Sequence, residues 1–156
     1  MEPIPTGEVV TAGKFLVNQC DALVLFDSGA SHSFVSSDFV SKHNLKAVTL
    51  DKGNYCISAT GNNISTNQVV LGETLEIGDR QFLADLVVLS SVGIDVILGM
   101  KWMSGNGVLI DTTTRVVMLR DRGTKEAFLV QLPRDIHIHS TMNAVTSTAI
   151  EDILVV

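Results

Sequence analysis

An aspartate at the end of an apolar run is the residue of this sequence that is best placed for chemistry. Asp27 follows five apolar residues at 22–26 and is followed at once by the small residues Ser28, Gly29 and Ala30. Burying an ionised carboxylate costs several kcal/mol unless donors or a partner charge compensate. Small neighbours leave room for another backbone to approach and expose N–H groups to the carboxylate. Two interpretations stay open from this local pattern: a functional buried acid, or an aspartate that caps a turn after a core strand.

Metal and disulfide chemistry find little support in the rest of the sequence. Asp135, His137 and His139 lie in a linker-like tail, without further ligands at useful spacing. Cys20 and Cys56 are too few for a disulfide framework and lack metal-ligand spacing, which indicates two reduced thiols. We therefore expect no metal ion and no cofactor.

Composition narrows the class of protein. The 156 residues are 46% hydrophobic, which is enough for the core of one ordinary domain. The net charge of -6, from 11 basic and 17 acidic residues, argues against binding to nucleic acid or to an anionic membrane surface. There is no apolar run of about 18 residues, and residues 1–5 lack the features of a secretory signal. We expect an intracellular, cytoplasmic protein.

The distribution of glycine and proline indicates one folded unit with two tails. All 12 glycines lie between Gly7 and Gly123, whereas the three prolines lie near the chain ends. The predicted division is an N-terminal tail over 1–8, a domain over 9–131 and a linker over 132–156.

The domain is predicted to be mostly β. Short runs rich in Val, Ile, Leu and Phe alternate with Gly, Asn and Asp, as they do in sheets of short strands. The predicted strands cover 9–17, 22–26, 68–77, 81–89, 108–110 and 115–119, with hairpin turns at 60–63, 77–80 and 111–114. Two short helices are expected, one capped by Ser36 or Ser37 and ending at Asn44, and one over 100–104 ending at Gly105.

Several ordered motifs resemble those of a known family. Asp-Ser-Gly-Ala at 27–30, after an apolar strand, resembles the active-site motif of retropepsin-like aspartic proteases. Asp-Val-Ile-Leu-Gly at 95–99 resembles the second apolar-apolar-Gly element of that family, and 55–65 lies where the family has its flap hairpin. More narrowly, 24–34 and 82–86 are similar to proteases of gypsy-type LTR retrotransposons.

The resemblance implies a fold and a set of site residues. The fold is an all-β, retropepsin-like closed barrel of the acid-protease type with one or two short helices. Asp27 is expected to be catalytic, with Ser28 holding two loops together across an interface and Gly29 offering its carbonyl to the peptide. Substrate contacts are expected from Ala30, Ala59, Thr60, Gly61, Asn62, Ile97 and Leu98.

Aspartic-protease chemistry needs two carboxylates that share one proton, and one chain offers only one that is suitable. Asp95 and Asp111 also lie beside apolar runs, but neither precedes a loop of small residues. The second carboxylate is therefore expected from Asp27 of another copy, in an obligate homodimer with an acidic pH optimum. Within the chain, 124–131 is predicted as the dimer strand.

The predicted function is an endopeptidase that processes its own polyprotein, with the tail leading to a downstream domain. The alternative is a catalytically silent retropepsin-like module that serves dimerisation or partner binding.

In the vertebrate retroviral branch an acidic residue and an arginine form a supporting ion pair, but Ser31 and Met100 stand at those places here. A different brace for the catalytic loop is expected.

Overall fold

The chain forms short strands and two short helices, as described by a computed structural model for residues 8–9, 11–51, 55–59, 62–90, 93–138 and 154–155. In chain order the elements are β1 (Glu8–Val9), β2 (Ala12–Val17), β3 (Cys20–Phe26), β4 (Phe34–Ser36), α1 (Ser37–His43), β5 (Ala47–Thr49), β6 (Tyr55–Ala59), β7 (Asn62–Thr66), β8 (Gln68–Ile77), β9 (Arg80–Leu89), β10 (Val96–Leu98), α2 (Met100–Gly105), β11 (Leu109–Asp111), β12 (Val116–Arg120), β13 (Ala127–Gln131), β14 (His137–Ile138) and β15 (Leu154–Val155). Among the described residues, no helix is long and apolar enough to cross a membrane.

Six of the strands close into a barrel. They pair in the order β2, β3, β10, β4, β9 and β8, and β8 pairs back onto β2 while β5 extends the sheet beyond β8. The pairs β10–β3 and β4–β9 are parallel, and the other pairs of this sheet are antiparallel. Closure leaves these strands without a free edge. The predicted all-β closed barrel with two short helices is confirmed.

Two apolar clusters form on opposite faces of β3 and β10. Successive side chains of a strand point to opposite faces, so each of these strands divides its residues between the clusters. Val24 and Leu98 join the larger cluster, whereas Leu25 and Ile97 join the smaller one. The ends of β3 and β10 are consequently held by packing on both faces.

The first helix, α1, begins and ends as the sequence predicts, whereas α2 runs one residue further than predicted, through Gly105, and Asn106 is its C-cap. The Ser36 hydroxyl accepts the N–H of Phe39 at 3.0 Å, which caps α1, and Asn44 adopts a left-handed φ of 54° at its end. The second helix, α2, follows β10 after Gly99, and its buried face carries Trp102 and Met103.

A smaller antiparallel sheet, β11–β12–β13, covers one side of the barrel. Val117 and Leu119 of β12 are fully buried against the larger cluster. The predicted turn at 111–114 connects β11 to β12. The segment 124–131, predicted as a dimer strand, contains β13, which pairs with β12 of its own chain.

The strand pairings extend beyond the predicted 9–131 unit. β1 pairs with β14, and β15 pairs with β6. Leu132 is 2% exposed and belongs to the larger cluster. The domain boundaries themselves stay a prediction.

Candidate active site

Asp27 is the first residue after β3, where β3 runs parallel to β10. Phe26 lies in register with Leu98 of β10, and the Asp27 N–H donates to the Leu98 carbonyl at 3.0 Å. The aspartate itself is half-buried. This bond extends the parallel ladder by one residue, so the two strands together fix the point at which Asp27 leaves the barrel wall.

The small residues after Asp27 turn the chain sharply. The Gly29 N–H donates to Asp27 Oδ1 at 2.9 Å, and the Ala30 N–H donates to the Asp27 carbonyl at 3.1 Å. Ser28 is exposed, whereas Ala30 is fully buried. Asp27 therefore caps a turn and also places its carboxylate at the end of a barrel strand.

Gly99 braces this loop by a close backbone approach. A Cβ on Gly99 would overlap the His32 carbonyl and would lie 2.7 Å from the Ala30 oxygen. The Gly99 N–H donates to the buried Ser33 hydroxyl at 3.0 Å, and the Met100 N–H donates to the Ala30 carbonyl at 2.6 Å. Only glycine fits between these carbonyls, so the start of α2 is held directly against the Asp27 loop.

His32 is also part of this brace. Ser31 Oγ lies 2.9 Å from His32 Nδ1, and His32 Nε2 lies 3.4 Å from Lys101 Nζ. Burial, and next the charge of Lys101, lower the pKa of His32 below its ordinary value of 6.5. We assign the proton to Nδ1, because the ammonium group can then donate to Nε2. Ser31 and Met100 thus take part through hydrogen bonds, which agrees with the expectation of a brace without an ion pair at these two positions.

The other two carboxylates considered from sequence are engaged elsewhere. Asp95 Oδ2 accepts the Leu23 N–H at 2.7 Å, which secures the middle of β3. Asp111 lies in an exposed turn, where hydrogen bonds from the backbone of Thr114 and then Thr113 lower the pKa of its carboxyl. In the described part of the chain, no group of three or more His, Cys, Asp or Glu side chains could hold a metal ion.

Two of the expected substrate contacts are buried apolar residues. Leu98 has no exposed surface and packs in the larger cluster, so its carbonyl bond to Asp27, rather than its side chain, serves the site. Ile97 is 2% exposed and packs in the same cluster as Ala30. The substrate contacts of Ile97, Leu98 and Ala30 stay predictions.

The hairpin predicted at 55–65 is formed by β6 and β7. Ala59 and Asn62 are its last paired residues. Thr60 and Gly61, which the sequence places at the tip, lie outside the described residues. The hairpin is where it was expected, and the contacts of these four residues with substrate stay predictions.

Sequence reasoning missed Ser33 and Lys101. Ser33 meets Gly99 across 66 positions of the chain and Lys101 meets His32 across 69, so no local pattern connects either pair. The available signal was a small polar residue that leads directly into the buried strand β4.

The family model described as retroviral aspartyl protease matches residues 2–125, a stretch that contains both the Asp27 loop and Gly99. The chain belongs to this family. No curated protein sequence matches it.

Solved structures share the fold of this family member. The retroviral protease-like domain of Ddi1 from Leishmania major matches with a TM-score of 0.62 and 14% identity, over 82% of this chain and 98% of that one. The EIAV protease in complex with the inhibitor HBY-793 matches with a TM-score of 0.50 and 17% identity, over 67% of this chain and 92% of that one. At these identities the likeness shows the retropepsin-like fold alone.

Proposed function

We propose that the chain is an aspartic endopeptidase that acts as a homodimer, with a water activated between two Asp27 carboxylates. The observation that carries the proposal is the enclosure of the Asp27 loop, which Leu98 and Gly99 hold from the parallel strand β10. A turn that needed only a cap would not require a glycine wedged between two carbonyls. The enclosure instead fits a carboxylate whose position must be fixed before substrate arrives.

The proposed chemistry divides the work between two copies of the loop. One Asp27 carboxylate takes a proton from the water, which attacks the scissile carbonyl, and the protonated Asp27 of the other copy donates a hydrogen bond to the carbonyl oxygen. The C–N bond of the resulting tetrahedral adduct then breaks as the proton taken from the water passes to the leaving amine. Two carboxylates a few Å apart cannot both ionise cheaply, so the singly protonated pair is the active form. We therefore expect activity at acidic pH. In this scheme Ser28 bonds across the interface and the Gly29 carbonyl receives the peptide.

The surface beside Ser28 is where we place the second copy. A cavity of about 270 Å³ adjoins Ser28 and is also lined by Met100 and Leu109, which are 43% and 64% exposed. β11 pairs with β12 on one side, and no described residue pairs with its other edge. A two-fold axis here would pair β11 with its own copy and bring both Asp27 loops together. We therefore favour β11 over 124–131 as the dimer strand.

We also propose that the chain derives from the polyprotein of a gypsy-type LTR retrotransposon and cuts that polyprotein. The similarity of 24–34 and 82–86 to such proteases supports this origin. Peptides covering 132–156 are the first substrates to try, because a processing enzyme is expected to cut near its own boundary.

Cleavage of peptides tests the proposed activity. The purified chain is incubated at pH 4–6 with a peptide library and with the 132–156 peptides, beside Asp27→Asn. We expect the substitution to lower cleavage at least about 10³-fold, since it removes the acid-base group. If no peptide is cut in an Asp27-dependent manner, the silent binding module is the correct interpretation.

Assembly is tested separately by sedimentation. Leu109→Arg would place a charged side chain in the surface beside Ser28 that the second copy is proposed to cover, so we expect a shift to monomer together with loss of cleavage. Leu129→Arg on β13, at a position that is 69% exposed, is the matched control and should leave both unchanged. A monomeric chain that still cuts peptides would refute the shared carboxylate pair.

A further inference from the structure

A second cavity, the outer groove, opens on the side of the barrel next to the catalytic loop. Its volume is about 410 Å³, and its walls include His32, Leu71, Leu83, Lys101 and Trp102. Asp27, Ser28, Gly29 and Ala30 are not among the residues that line it. The outer groove is therefore separate from the proposed catalytic position, although it begins where the catalytic loop ends.

A β-bulge creates this groove. Val70 pairs with Leu86 and Glu73 pairs with Ala84, so two residues of β8, Leu71 and Gly72, face a single residue of β9. That residue is Asp85, and its Oδ1 accepts the Gly72 N–H at 2.8 Å. Gly72 has a φ of +60°, a conformation that side chains disfavour. The bulge is thus capped by Asp85, and it leaves Leu71 on the outer surface.

One part of the wall of the outer groove, formed by Leu71, Leu83 and Trp102, is apolar and well fixed. Leu71 and Leu83 remain 60% and 45% exposed, although most large apolar side chains of the barrel are buried. The Trp102 indole N–H donates to the Leu83 carbonyl at 3.0 Å, and its ring packs edge-on against Phe82. A preformed apolar recess of this kind favours an apolar side chain from a ligand over water.

The groove also presents a positive charge. Lys101 Nζ lies 3.4 Å from His32 Nε2. Within the described ranges the one ion pair joins Arg80 to Asp121, so Lys101 has no carboxylate at ion-pair distance there. Asp85 also lines the groove, but its Oδ1 accepts a hydrogen bond from the Gly72 N–H. Charge complementarity therefore favours a carboxylate beside Lys101.

We propose that the outer groove is a second binding site for the polypeptide substrate, which places a large apolar side chain between Leu71 and Leu83 and an acidic side chain beside Lys101. The inference rests on the proposed peptidase function. His32 follows Asp27 by five positions, so the groove begins within about 18 Å of the catalytic carboxylate along the chain. About five extended substrate residues would reach it, and the groove would select sequences well away from the cut.

Matched peptides test the charge preference. A peptide that is cut in an Asp27-dependent manner is extended, about five residues from the cut on either side, with Leu-Glu, Leu-Gln or Ser-Gln. We expect the Leu-Glu form to be cut about threefold more efficiently than Leu-Gln, mainly through KM, because the ion pair is near the surface. Lys101→Glu should reverse the preference, whereas Lys14→Glu, an exposed charge change on β2, should preserve it. The preference is the ratio of the cleavage efficiencies of the Leu-Glu and Leu-Gln peptides by the same variant, so it does not depend on the fraction of that variant that folds.

The apolar contact is tested with two truncations. Leu71→Ala combined with Leu83→Ala should raise KM for the Leu-containing peptides about tenfold and leave the Ser-Gln peptide unchanged. Val48→Ala, at a position that is 39% exposed on β5, is the control and should change KM for neither the Leu-containing peptides nor the Ser-Gln peptide.

The possible outcomes separate this inference from the proposed function. Asp27-dependent cleavage that ignores both the extension and Lys101→Glu would overturn the outer groove as a substrate site and leave the peptidase intact. If nothing is cut, the proposed activity fails, and the groove is then tested by binding of fluorescent Leu-Glu and Leu-Gln peptides to Asp27→Asn protein. A binding preference that Lys101→Glu reverses would support the groove, and equal binding would overturn it.

Discussion

The Asp27 loop at 27–30 and the β11–β12 turn at 111–114 use an aspartate in the same local way. Asp27 Oδ1 accepts the N–H of Gly29 at 2.9 Å, and Asp111 Oδ1 accepts the N–H of Thr113 at 2.9 Å. The surroundings differ. Asp111 is exposed on its turn, whereas Asp27 is half-buried beside β10 and the closely packed Gly99. The comparison teaches that a capping aspartate becomes a candidate catalytic group through its tertiary enclosure, not through its local hydrogen bond.

Substitutions in the 111–114 turn and in the 27–30 loop should also differ in their effects on folding and activity. Asp111 of the turn makes hydrogen bonds with residues two to four positions away, namely Thr113, Thr114 and Arg115. The loop is held by contacts that cross the chain, including Asp27 with Leu98. Changes at the turn should have small local effects, and changes around the loop should affect folding and activity together.

The largest contrast is expected from replacing each aspartate by asparagine. Asparagine can still accept the capping hydrogen bond, so both variants should fold. Asp27→Asn should lower kcat/KM at least about 10³-fold, whereas Asp111→Asn should change it by no more than about twofold. Peptide cleavage and thermal melting measure the two effects. Similar activity losses in both variants would show that the enclosure of Asp27 has no special role.

The enclosure itself is tested at Gly99. A Cβ there would press on the carbonyls of Ala30 and His32, which belong to the backbone and cannot rotate away. We expect Gly99→Ala to lower the free energy of unfolding by about 3 kcal/mol. A Cβ on Gly105 would meet nothing within 4 Å, so Gly105→Ala is the control and should be neutral or slightly stabilising. The free energy of unfolding of each variant is measured with denaturant. Equal stability of Gly99→Ala and Gly105→Ala would contradict the close packing of Gly99 against the Asp27 loop.

Replacing Ser33, which also bonds Gly99, should lower the free energy of unfolding by less than Gly99→Ala does. Ser33→Ala removes the hydroxyl that accepts the Gly99 N–H and leaves that buried donor without this bond. The expected cost is about 1–3 kcal/mol of unfolding free energy. Ser104→Ala on the exposed face of α2 should cost almost nothing. A loss at Ser33 no larger than that at Ser104 would mean that the Gly99 N–H is satisfied in another way.

Much of the barrel followed from local patterns in the sequence. The predicted strand 68–77 coincides with β8, and the predicted turn at 77–80 is formed by Gly78 and Asp79 with φ values of 58° and 62°. Alternating apolar residues and turn residues act over a few positions, so they can be read without the fold. The helix caps Ser36 and Asn44 were predictable for the same reason.

What could not be predicted depends on distant parts of the chain. β4 and β5 have three residues each, too few for a periodic pattern, and the parallel pairing of β10 with β3 joins segments about seventy positions apart. The bulge at Gly72 becomes visible only once the partner strand is in register. The Asp27 loop was found through its family resemblance, because the local pattern alone fitted a turn cap equally well.

The smallest expected effect is on the pH dependence of stability and concerns Asp111. The backbone of Thr114 and then of Thr113 hold the pKa of Asp111 below its ordinary value of 3.8 in the folded chain. The ionised turn therefore stabilises the fold above that value, and this contribution is lost as the pH falls through the folded pKa. Asp111→Asn should accordingly lose less stability than the unsubstituted chain between pH 5 and pH 2.5, measured by urea unfolding. Asp111 is exposed, so only the direction is expected to be clear. An identical decline in both proteins would mean that the two donors do not favour the ionised carboxylate, and the likeness between this turn and the Asp27 loop would then be one of geometry alone.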